Sequence, residues 1–577
     1  MAIDKNSVGT VKPVIYQLLP RLFTNYNADP VPNGSIEENG SGKLNDINPT
    51  ILKNLRELGV THVWYTGVIE HAHTPDYSRF GIRRNNPHIV KGKAGSPYAI
   101  TDYYDIDPDL AVNVPDRLKE FERLVARTHR AGLKVIIDFV PNHVSREYHS
   151  DASPAGIEDF GQGDNKEMFF SPSNNFYYIT RQQFSPVDVD LGYGEDAYVE
   201  FPARASGDDC FTAFPGKYNW YETVKLNYGF DPWDHSRHYN PIPSTWLKML
   251  HILRYWAAKG VDGFRCDMAH MVPVDFWRWA IPQVKEINPE IKFIAELYDV
   301  AIYRSYIFNA GFDYLYDKVN LYDSLRAIET SNHSAAIITS CWQTVEGIAP
   351  NMLNFLENHD EQRFASRFYA GNPFRVVPSL VVSAFISTGP FMVYAGQELG
   401  EPAEESEGYS GFDGRTTIFD YWSIERLRRW LNRGKCDGPL SDSEKALRSI
   451  YSRVLNLCNS EKAIRQGKFF DLMYVNYDNP RFNPHRQYAF LRYCDGELLV
   501  IAVNFSDVEA QVEINIPSHA FEHLGLNRGS VKSEELLSGQ KSVKVVSDEH
   551  PFATHIPPHG AVVWKIENSQ IQPFHKK

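Results

Sequence analysis

Two residues in the segment Gly263-Phe264-Arg265-Cys266-Asp267 could do chemistry together. The segment reads as a strand, and residues two apart on a strand share a face, so Arg265 and Asp267 can enter one pocket. A guanidinium beside a carboxylate favours the ionised form, which suits a nucleophile. Taken alone, the pair reads better as a structural ion pair at a strand end. Three further strand ends also carry acids: Asp138 in Asp138-Phe139-Val140-Pro141-Asn142-His143, Glu296 after Ile291 to Ala295, and Asp360 in Glu357-Asn358-His359-Asp360. Crowding like charges costs free energy, so stability alone explains four acidic ends poorly. Two carboxylates flanking a bond are the usual apparatus of glycoside cleavage. Burial and nearby negative charge keep a general acid protonated. Glu296 fits the acid and Asp267 the nucleophile.

The elements that must position these groups alternate. Strands are expected at Pro13 to Leu19, Thr61 to Thr66, Leu133 to Asp138, Gly263 to Asp267, Ile291 to Glu296, Phe312 to Tyr316, Met352 to Leu356 and Phe391 to Ala395. Helices are expected at Ile51 to Leu58, Pro115 to Arg130 and Ser244 to Lys259, stopped by Gly59, Gly132 and Gly260, and at Phe276 to Ile287 with a kink at Pro282. Repeated β-then-α units imply a parallel sheet. Eight of them suit a closed (β/α)8 TIM barrel, whose catalytic groups stand at the C-terminal strand ends; an open doubly wound sheet is the alternative. The expected division is 1–143 and 238–467 for the barrel, 144–237 for an insertion after the third strand, and 468–577 for a C-terminal antiparallel β-sandwich.

At 577 residues the chain has material for more than one domain. Its net charge of −13 disfavours nucleic acid, whose phosphates need clustered Lys and Arg. No apolar run is long enough for a membrane helix, so no membrane partner is expected. Aromatic residues form 13% of the chain, and flat rings suit the apolar faces of sugars. Cys210, Cys266, Cys341, Cys436, Cys458 and Cys494 are scattered and read as free thiols. Met1 to Gly9 is polar, without the apolar core of a signal peptide. A cytoplasmic location is therefore favoured, with a secreted or periplasmic one open if a signal has been trimmed.

At the acidic strand ends the sequence resembles the α-amylase family of retaining glycoside hydrolases and transglycosidases. Four motifs occur in that family's order: Asp138 to His143, Gly263 to Asp267, Ala295-Glu296, and Asn358-His359-Asp360. The resemblance implies Asp267 as nucleophile, Glu296 as acid/base and Asp360 as the third carboxylate gripping sugar hydroxyls. It further implies that His143 and His359 hydrogen-bond the sugar, that Arg265 orients the nucleophile and that Asp138 supports the barrel mouth. Ser96-Pro97-Tyr98 through Asp102-Tyr103-Tyr104 resembles the segment whose tyrosine stacks on the sugar, here Tyr98; Ser96 stands where a histidine is common. His270 is expected on the leaving-group side, and Gln397 and Glu398 as structural.

The implied activity is hydrolysis of α-1,4-glucosidic bonds in starch-type glucans or maltooligosaccharides, with a carbohydrate as partner. A glucanotransferase or isomerase of the same family is the first alternative, its acceptor chosen by aromatics such as Trp220, Tyr221 and Trp233. A non-catalytic binding or scaffold relative is the second. Many members hold calcium through the asparagine that Asn142 matches. The segment Val224-Lys225-Leu226-Asn227 places a lysine where a carboxylate often helps to bind it, so Lys225 is expected to replace the ion and no cofactor is expected.

Overall fold

Eight parallel strands close into a barrel in which sequence neighbours are spatial neighbours. They are β1 (Val14–Leu18), β2 (His62–Tyr65), β3 (Lys134–Phe139), β4 (Gly263–Cys266), β5 (Lys292–Ala295), β6 (Tyr314–Tyr316), β7 (Met352–Phe355) and β8 (Phe391–Tyr394). The computed structural model describes residues 11–573, so the polar stretch Met1 to Gly9 lies outside it. Strands covered on both faces must be apolar nearly throughout, and β1, β4, β7 and β8 are buried at every position. The register sets Arg265 beside Asp138 on β3 and beside Ile294 on β5. The acidic ends thus converge on one rim.

The helices between strands follow local signals. Asn48 accepts hydrogen bonds from the N–H groups of Thr50 and Ile51 to start the helix Pro49–Leu58. Gly59 ends it at φ +109°, where a Cβ would lie 2.7 Å from the Leu455 backbone. The next helix begins at Arg117 rather than Pro115, because Val114–Asp116 forms a 3-10 turn first. Helix Val274–Lys285 runs through Pro282 and ends short of Ile287. Trp256 and Trp277, from the helices flanking β4, are fully buried behind it.

The insertion after β3 has little regular structure. Its start and end are laced by an antiparallel pair, His143–Ser145 against Thr223–Lys225, with His143 opposite Lys225. Ile89, Ile179, Phe184, Tyr198, Ala203, Ala213 and Tyr221 form a small apolar cluster apart from the main core. Beyond Lys468 the chain builds a six-stranded sheet and a two-stranded one, Ala510–Ile514 with Phe552–Ile556. Their buried residues join the barrel's core without a break. All six cysteines are free, as expected. Among the described residues no helix is long and apolar enough to cross a membrane.

Candidate active site

Arg265, near the end of β4, is fully buried and ties the acids together. Its Nη1 lies 2.7 Å from Asp267 Oδ1 and 3.6 Å from Asp138 Oδ1, and its Nη2 lies 2.8 Å from Glu296 Oε1. The faces of Trp64, Tyr98 and Tyr316 pack around the guanidinium at 5.2 to 5.6 Å. Glu296 also accepts from Tyr298 Oη at 2.5 Å and from the Met268 N–H at 2.7 Å. Met268 reaches that position at φ +42°, a left-handed backbone that costs a side chain about 1–2 kcal/mol. Its strain aims a donor at the carboxylate.

The floor is a second network. Tyr98 Oη and His359 Nε2 are 2.6 Å apart, their rings stacked at 5.3 Å, and His359 Nε2 lies 3.0 Å from Asp360 Oδ2. The Gln17 amide meets His359 Nδ1 at 2.7 Å and fixes the ring. Asp138 accepts from Trp64 Nε1 at 3.2 Å and the Gly67 N–H at 3.1 Å, which fits a supporting part. Gln397 donates to the Tyr451 hydroxyl and Glu398 accepts from the Tyr16 hydroxyl, both inside the fold.

Electrostatics depart from the sequence reading in one respect. Burial, then the Glu296 charge, pushes the Asp267 carboxyl well above its ordinary range, and Arg265 only partly offsets this. The guanidinium is divided between two acids, so it does not hold Asp267 ionised by itself. Asp360 behaves oppositely: burial pushes it up, but His359, Arg265 and Arg415 outweigh that and hold it below the usual value. Burial, aided by Lys225, lowers His143 to about 3, so its ring is neutral.

Asp267, Glu296, Asp360, Tyr98 and His143 line one pocket of about 280 Å³. His270 does not line it. It opens instead into a second chamber of about 580 Å³ with Tyr177, Phe211, Phe230 and Tyr239. The His270 ring, on this chamber, stands edge-on to Tyr298, on the catalytic pocket, with centroids 6.1 Å apart. Of the aromatic candidates, Trp220 lines the pocket, Tyr221 belongs to the insertion's own core, and Trp233 is exposed against Phe169 and Phe211. Sequence reasoning missed Tyr298, Gln17, Lys91, Glu222 and Phe419. Tyr298 alone carried a signal, lying two residues past Glu296 as Asp267 lies two past Arg265.

The family model of the alpha amylase catalytic domain matches residues 17–201 and 238–418, more than half of the chain. The chain belongs to the α-amylase family. Among curated members, neopullulanase 2 of Thermoactinomyces vulgaris is 25% identical over 403 residues, covering 67% of this chain and 56% of that one. Alpha-amylase 3 of Dictyoglomus thermophilum is 21% identical over 559 residues, covering 92% of each. The chain thus spans little more than half the length of the first and nearly all of the second. A maltogenic α-amylase from Thermotoga neapolitana superposes with a TM-score of 0.62 at 17% identity, over 96% of this chain and 99% of its own. That likeness is one of fold.

The calcium position common in the α-amylase family is a test of the donor set here. Calcium needs six to eight oxygens, commonly including carboxylates. At Asn142 the Lys225 ammonium donates to Asn142 Oδ1, stands 2.6 Å from Asp209 Oδ1, and donates to the Met271 carbonyl at 3.2 Å. Burial pulls Lys225 below its ordinary value and Asp209 pulls it back. The oxygens gathered around Asn142 thus face the Lys225 ammonium, and the carboxylate among them, Asp209, is exposed.

Proposed function

We propose that the chain is a retaining α-glycosidase acting on α-1,4-linked glucans or maltooligosaccharides. One observation carries this reading: Arg265 bridges Asp267 and Glu296 at the barrel mouth, with Asp360 on the same pocket. Glu296 gives its proton to the glycosidic oxygen as Asp267 attacks the anomeric carbon, forming a glycosyl ester. Glu296 then takes a proton from water, which displaces Asp267. Glu296 accepts from the Tyr298 hydroxyl and the Met268 N–H, with Arg265 Nη2 2.8 Å away, and these contacts fix the carboxyl for both steps. Asp267, pushed up by burial and the Glu296 charge, must give up its proton before it attacks. Asp360, held ionised beside His359, accepts sugar hydroxyls, while Tyr98 and neutral His143 complete the wall.

Transfer to a sugar acceptor is a second reading, favoured by the aromatic chamber beyond His270. Incubation with maltooligosaccharides, trehalose and sucrose, with products resolved by size and their first anomer read by NMR, separates the cases. Smaller products of α configuration support hydrolysis with retention, and larger or rearranged ones support transfer or isomerisation. Unchanged turnover by Glu296→Gln would overturn both. Lys225 is proposed to stand in for calcium, leaving the enzyme independent of a metal at that position.

A further inference from the structure

Two buried charges in the catalytic pocket have no part in that mechanism. Lys91 Nζ lies 2.8 Å from Glu222 Oε2, and the two residues are only 8% and 4% exposed. Both line the pocket with Ser96, Trp220, Ile418 and Phe419, and none of these borders the larger chamber. A buried ion pair is a poor source of stability, because desolvation offsets its attraction. It is well suited to a sugar hydroxyl, which donates to a carboxylate and accepts from an ammonium at once.

The wall beside this pair is locked. The Ala94 N–H donates to the Phe419 carbonyl at 3.0 Å, Arg21 bonds both the Ala94 and the Ile418 carbonyls, and a Cβ on Gly92 would meet the Phe419 oxygen at 2.2 Å. The pocket's volume of about 280 Å³ falls just below the range of about 300–1,000 Å³ for small-molecule sites, which suits a single sugar ring. His270 of the roomier space stands edge-on to Tyr298, which donates to Glu296, the residue that protonates the leaving group. Added length therefore belongs on the leaving-group side.

We propose that the pocket is blind on the donor side, that it admits one non-reducing terminal glucosyl unit, and that Lys91 and Glu222 hold that unit's 4-hydroxyl. The enzyme would then act from chain ends on short α-glucosides rather than within polysaccharides. This rests on the glycosidase reading above. The test uses p-nitrophenyl α-glucoside and p-nitrophenyl α-maltoheptaoside, the latter free or with its terminal 4- and 6-hydroxyls blocked as an ethylidene acetal. Expected are glucose as the first product from both free substrates and a rate at least 100-fold lower on the blocked one. Comparable cleavage of the blocked substrate would overturn the proposal while leaving the glycosidase reading intact; no turnover of any of the three would overturn both. As a residue-level check, the wild type should disfavour 4-deoxy-glucoside by roughly 10- to 100-fold, the range expected for hydrogen bonds to charged groups. Lys91→Met and Glu222→Gln should raise KM for the parent glucoside more than they lower kcat, and should erase that preference. Retained discrimination in both variants would remove the pair from the assignment.

Discussion

Arg265 Nη2 lies 2.8 Å from Glu296 Oε1, so the residue expected to orient Asp267 alone serves both carboxylates. A planar fork can do this and a point charge cannot. Arg265→Lys should therefore keep the fold but lower kcat by roughly 100- to 1,000-fold, the cost typical of losing a preorganised polar contact. Circular dichroism and steady-state kinetics check the two halves. A loss confined to KM would contradict the shared role.

The pH profile should follow the proton held between the acids. Because Asp267 is pushed well above the ordinary carboxylate range, activity should persist above the pH at which a free carboxyl ionises. It should fall on the basic side as the site loses that proton. Tyr298→Phe removes the hydroxyl that donates to Glu296 and should lower kcat by roughly 3- to 10-fold, about the worth of one hydrogen bond, with the fold unchanged by circular dichroism. An unchanged kcat would mean that this hydroxyl does not steady the acid.

Lys225 carries a prediction about metals. A chelator should leave activity and Tm of the wild type unchanged. Lys225→Ala removes the cation from among Asn142 Oδ1, Asp209 and the Met271 carbonyl. The variant should be destabilised by about 1–3 kcal/mol, the cost of leaving the buried Asn142 acceptor without its donor, since Asp209 is itself exposed. Added calcium should recover part of that loss. Chelator sensitivity of the wild-type Tm would refute the assignment.

Asp317, just past β6, is buried, and its carboxyl is raised from 3.8 to about 7 by desolvation, with hydrogen bonds from Leu321 and Asn320 only partly offsetting it. Below about pH 4 both folded and unfolded chains carry the proton, so nothing is lost. As pH rises toward 7 the unfolded chain ionises while the folded one holds its proton, and stability falls; above 7 the loss is complete. Asp317→Asn should be more stable than wild type at pH 8 by up to about 4 kcal/mol and should lose that advantage near pH 4. Tm measured across this range checks the slope. A constant difference would mean that the carboxyl does not titrate there.

The barrel was legible because its signals are local. Apolar runs mark the strands, and Gly59, Gly132 and Gly260 close helices just before β2, β3 and β4. The acids were legible because each lies at or just past a strand end. Helix starts were less so: Val114–Asp116 and Arg117 share a composition that does not separate a 3-10 turn from a first helical turn. The contact between Lys91 and Glu222 could not be read at all. It joins segments 131 residues apart through an insertion without periodicity, and Phe419 arrives from beyond β8. The division of Arg265 between two acids needed the register of β4 and β5, which side-chain types alone do not set.

Cys266 stands between Arg265 and Asp267, fully buried and facing away from the pocket, with burial pushing its thiol well above the usual range. A thiol in that state does not react with alkylating reagents while the barrel is closed. Its labelling rate should therefore measure how often the catalytic strand opens to solvent, separately from Cys210, Cys436 and Cys494, which are partly exposed. The strand that carries the chemistry thus also carries a gauge of its own opening.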